Sequence, residues 1–141
     1  MDPFHTELLL ILNVVMAGAN EHLTLSKLPS GSWQAGVSIL NDILTVDILR
    51  NDANLRKHNW VEMADPIQWF PIFVPPIART LAQNKSLFPL NMKVIFRVKS
   101  ESEEWRGSCL ASNLVELFKS GEVNDFGSMM TKLDIEVIKY E

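Results

Sequence analysis

Apolar and polar positions alternate most cleanly over Met92–Lys99: Met92, Val94, Phe96 and Val98 fall on one side, and Lys93, Ile95, Arg97 and Lys99 on the other. That period predicts a half-buried strand with a largely basic outer row. Leu133–Tyr140 alternates in the same way and predicts a terminal strand, and Trp105–Leu110 predicts another. Helical spacing appears elsewhere. Apolar residues at 33, 37, 40, 44 and 48, joined by Ile43, predict a helix over Trp33–Arg50, although residues 43–49 also fit a strand. Leu114, Val115, Leu117 and Phe118 predict a helix that Ser112 caps and Gly121 closes.

The first helix is of a different kind. Asp2-Pro3 supplies a cap and a first-turn proline. The residues from Leu8 to Val15 are apolar on nearly every face, so the helix is expected in the middle of the domain or in a subunit interface, ending near Ala17 at Gly18 or Asn20. Leu23-Thr24-Leu25 then predicts a short strand, and Pro29-Ser30-Gly31 a turn.

The chain is organised around Asp65–Ile77, which holds four of the seven prolines with Trp69, Phe70 and Phe73. Pro71, Pro75 and Pro76 lack backbone donors, so the sequence predicts no long helix or central strand through Phe70–Pro76. A rigid segment against the core is expected, or else one wall of a groove, with a short helix opening at Pro75 or Pro76 and running to Gln83. Helices early and strands mostly late predict one α+β domain over residues 1–141, with N-terminal helices packed on a small, mainly antiparallel sheet formed largely by the C-terminal half.

Composition narrows the function classes. A length of 141 residues, 47% hydrophobic and 21% charged, suits one folded domain. The formal charge of −4 disfavours non-specific attraction to nucleic acid or an anionic membrane. The apolar run at 8–19 follows Asp2, His5 and Glu7 rather than the Lys or Arg of an export leader, and it is too short to span a bilayer. A cytoplasmic protein is therefore expected, in keeping with the single cysteine, Cys109, which reads as a small core residue.

Catalytic signals are absent from the sequence. His5, His22 and His58 are scattered, and no zinc or calcium spacing occurs, so neither a metal nor a cofactor is expected. Asp125-Phe126-Gly127 spells a kinase metal-binding triplet, but the phosphate loop, strand lysine and catalytic loop of a kinase are missing. A recognition helix for DNA within 33–50 would carry Asp42 and Asp47, which repel phosphate. These properties match a non-catalytic protein-binding module, for instance an immunity protein or antitoxin that neutralises a basic toxin. Its candidate contacts are Asp42, Asp47, Glu101, Glu103 and Glu104, with Trp69, Phe70 and Phe73 as apolar anchors. The alternatives are a small-molecule domain or minor enzyme with a pocket lined by those three aromatics, and a winged-helix regulator. The apolar first helix also allows a homodimer.

Overall fold

The computed structural model describes residues 3–25, 31–59 and 69–140. The chain runs α1 (Pro3–Leu25), β1 (Trp33–Leu40), β2 (Ile43–Arg50), α2 (Asp52–Lys57), α3 (Phe70–Gln83), β3 (Lys93–Lys99), β4 (Glu103–Leu110), α4 (Ala111–Ser120), α5 (Phe126–Lys132) and β5 (Asp134–Lys139). The class is α+β, as the sequence predicts. The five strands lie in sequence order, β1-β2-β3-β4-β5. Only β2 and β3 are parallel; the other three pairs are antiparallel. Parallel neighbours need a crossover, and the segment containing α2 and α3 supplies it.

Several predicted elements are corrected. Residues 33–50 form a β-hairpin, not a helix. Asn41 and Asp42 make its two-residue turn with φ of 52° and 59°, the conformation of a type I′ turn, which Asn and Asp tolerate better than other side-chain-bearing residues. On β2, Leu44, Val46 and Ile48 are wholly buried while Thr45 and Asp47 are half-buried, so the true period there is two. The first helix does not stop near Ala17 but continues to Leu25, through the stretch read as a short strand. The helix after β4 begins at Ala111, so Ser112 lies inside it; Gly121 closes it as expected, at φ 78°.

The proline segment gives a further correction. Helix α3 starts at Phe70 and runs through Pro75 and Pro76. Pro71 costs nothing in the first turn, but each interior proline costs about 3 kcal/mol. Against that stand Phe70, Phe73, Val74, Ile77 and Leu81, all with no solvent exposure. Each contributes roughly 1.5–3 kcal/mol on burial, so packing outweighs the broken backbone ladder. Trp69, Phe70 and Phe73 are therefore core. Trp33 meets Phe73 edge-on at 5.0 Å, and Trp69 lies parallel to it at 6.4 Å.

One face of the sheet is covered. The register aligns Val37, Val46, Phe96, Gly107 and Ile135 in a single row across all five strands. Helices α1, α3, α4 and α5 pack on this side against β1, β3, β4 and β5 respectively. A Cβ on Gly107 would sit 3.0 Å from Ile135 Cδ1, tighter than ordinary contact, and 3.6 Å from Phe70 Cζ, so glycine there leaves room for the Ile135 side chain. Among the described residues, no helix long and apolar enough to cross a membrane is present.

Candidate functional site

The opposite face of the sheet carries most of the charged strand residues. Register places Asp47, Arg97, Arg106 and Glu136 in one row, directly opposite one another on β2 to β5. The Arg97 guanidinium donates to both oxygens of Asp47, Nε to Oδ1 at 2.6 Å and Nη2 to Oδ2 at 2.8 Å. This bidentate bond, with the added attraction of Asp47 and Glu104, raises the Arg97 pKa further above its ordinary value against the opposing effect of partial burial. Lys99 Nζ stands 3.8 Å from the same Asp47. Arg106 donates to Glu104 Oε2 from Nε at 3.0 Å and from Nη2 at 2.5 Å. The two arginines would repel across the β3–β4 pair; each has its own carboxylate instead.

The face is thus balanced. Lys93, Arg97, Lys99 and Arg106 are set against Asp47, Glu104, Asp134 and Glu136, with the half-buried Ile43, Ile95 and Ile138 among them. Sequence alternation located the β3 half of this surface but not its pairing with β2, because residues 33–50 carry a helical spacing as well.

The other acidic candidates do not converge on it. Asp42 sits in the β1–β2 turn, its side chain 74% exposed and 3.8 Å from His5. Glu101 lies at the opposite end of the sheet, in the turn before β4, where the Arg56 guanidinium grips it at both oxygens. That contact raises the Arg56 pKa. Glu103 opens β4, and Glu104 is only 6% exposed beside Arg106. The acidic candidates are spread from end to end, and Asp47, Glu101 and Glu104 each have a cation.

At the Glu101 end, Asp52 binds two elements together. It accepts from Arg50 Nε at 2.8 Å and, through its other oxygen, from the Glu101 N–H at 2.7 Å. Asn51 caps α2 by accepting from the Asn54 N–H at 3.0 Å. Beside this cluster opens a pocket of about 550 Å³, lined by Trp33, Gln34, Leu49, Arg50 and Asp52 among others. It lies at the carboxyl ends of the parallel strands β2 and β3. Trp69, Phe70 and Phe73 do not line it.

The remaining nucleophile and ligand candidates have structural roles. Burial pushes the Cys109 thiol up to about 12, which leaves it protonated and unreactive near neutral pH. Asp125 caps α5, accepting from Ser128 Oγ at 2.8 Å and from the Gly127 N–H at 3.3 Å. No group of three metal-binding side chains occurs among the described residues. Residues 60–68, including Trp60, lie outside the described residues. Comparison with protein-family models, curated proteins and solved structures finds no match.

Proposed function

We propose that this protein is a non-catalytic binding module that engages another protein across the uncovered face of its sheet. The observation that carries the reading is the register itself, which sets a charge-balanced row between aliphatic side chains on a rigid support. Bulk hydrophobicity does not distinguish non-obligate protein interfaces, and arginine, present here at Arg97 and Arg106, is enriched in them. Within this class, the net charge of −4 supports an inhibitor of a basic toxin. The internal pairing of Asp47, Glu101 and Glu104 works against that version, since those carboxylates already have cations. A partner surface carrying both signs fits better.

The test is affinity capture of the tagged chain from its own cells at two salt concentrations, beside Thr45→Arg/Ser108→Arg. Those two positions flank Ile95 in one outward row and carry no part of the ion pairs. A stoichiometric partner held by the wild type and lost by the variant supports the reading; a partner held equally by both removes this face from it.

A second reading rests on the pocket beside Arg50 and Asp52. The indole of Trp33 and the polar groups of Gln34 and Asn51 suit a small polar ligand there. Thermal stabilisation by a metabolite mixture, lost in Gln34→Leu, tests it.

A further inference from the structure

We infer that the β1 edge and the outward side of α1 together form an interface with a second copy of this chain. The two edges of the sheet differ. Strand β5 carries Asp134, Glu136 and Lys139, charges that blunt an edge against further pairing. Strand β1, Trp-Gln-Ala-Gly-Val-Ser-Ile-Leu, has neither charge nor proline. Among the described residues its only strand neighbour is β2, so every second residue turns its N–H and C=O outward without a strand to receive them. Its core-facing Trp33, Ala35 and Val37 are only half-buried, whereas Leu44, Val46 and Ile48 beside them on β2 are sealed.

The helix alongside this edge is unfinished in the same place. His5 near Asp42 fixes the start of α1 at the hairpin turn, and Asn13, Met16 and Ala17 border a cleft with Gln34 and Ala35, so α1 runs antiparallel along β1. Leu8, Leu12 and Met16 face the core. On the other side Leu10 is 66% and Val14 73% exposed. Leu10 and Val14, with the exposed Thr6, Glu7, Asn13 and Ala17 around them, therefore lie on the helix that borders an unblunted strand edge.

Self-association is the occupant these features fit. An antiparallel strand edge is complementary to itself about a two-fold axis, and the same rotation brings α1 against its copy. A helix of 23 residues and a strand of eight are about 35 and 26 Å long. With a depth of about 20 Å over helix and sheet, the surface offered is roughly 600 Å² a side, at the lower limit for a stable dimer. A membrane surface fits less well, because residues 1–25 contain no Lys or Arg to meet anionic headgroups. The pairing would continue the sheet across both copies and leave its charged face open.

The experiment is light scattering on the purified full chain over a range of concentrations. The expected mass is twice the 16.0 kDa of the chain. Leu10→Lys/Val14→Lys, at exposed positions and checked for folding by circular dichroism, should weaken the dimer at least about tenfold. Amide hydrogen exchange should show alternate β1 amides protected in the dimer and released in the variant. A wild-type monomer at all concentrations overturns the inference, whether or not the chain binds anionic vesicles. A dimer that survives the variant with β1 amides unprotected overturns it as well.

Discussion

Replacing Phe73 by alanine separates the core reading of the proline segment from the groove-wall reading. The ring has no solvent exposure and lies between Trp33, edge-on at 5.0 Å, and Trp69, parallel at 6.4 Å. Removal of a buried phenylalanine costs about 3–5 kcal/mol in transfer and cavity terms, and the lost aromatic pairing places Phe73→Ala in the upper part of that range. A domain of this size has a stability of roughly 10 kcal/mol, so about 4 kcal/mol removes a large share without unfolding the chain. At about 3 °C per kcal/mol, the melting temperature should fall by roughly 12 °C. Urea titration followed by tryptophan fluorescence gives the same difference as a lower midpoint at unchanged slope. A loss below about 1 kcal/mol would refute the placement, because only a ring facing a groove or solvent is that cheap to remove.

Four further outcomes follow from particular contacts. Gly107→Val, which drives a branched side chain toward Ile135 and Phe70, should cost about 1–3 kcal/mol by overpacking, measured by thermal melting. Asp42→Gly should keep or raise stability, since glycine adopts the left-handed turn without strain, whereas Asp42→Val should lose about 1–2 kcal/mol. A double-mutant cycle on Asp47 and Arg97, both about one-third exposed, should give a coupling near 1 kcal/mol that weakens with salt. For Cys109 the folded-state pKa is raised to about 12. Its contribution is complete below the unfolded thiol value near 8.5 and is lost as pH rises from there toward the folded one, by up to about 1.4 kcal/mol per unit, relative to Cys109→Ala. Equal pH dependence in the two proteins would contradict the burial of the thiol.

The fold class was readable because β3, β4 and β5 alternate over short runs, and β3 does so with charges outward. The hairpin is hidden in the sequence because Trp33, Val37, Leu40, Leu44 and Ile48 satisfy a helical period by coincidence. Asn41-Asp42, the turn signal between two strands, was the evidence against it. In α3 the periodic and the local signals conflict. Phe70, Phe73, Val74, Ile77, Ala78 and Leu81 follow a helical period, but the donorless prolines argued locally against a helix, and burial outweighed them. The candidate carboxylates were legible as residues and not as a site, since only the three-dimensional pairing shows Asp47 with Arg97 and Glu101 with Arg56. The all-round apolarity of α1 predicts a place in the middle of the domain or in a subunit interface, whereas within the chain one side of the helix stays exposed at Leu10 and Val14.

The most direct test of the proposed binding face is isoleucine-methyl NMR of the chain titrated with its captured partner. Ile43, Ile95 and Ile138 report from the open face of the sheet, while Ile39, Ile48, Ile77 and Ile135 report from the covered side and Ile11 from α1. Binding across the open face predicts the largest shifts at Ile95 and its two companions, with the covered set nearly still. Shifts centred on Ile11, with Ile95 unmoved, would contradict it.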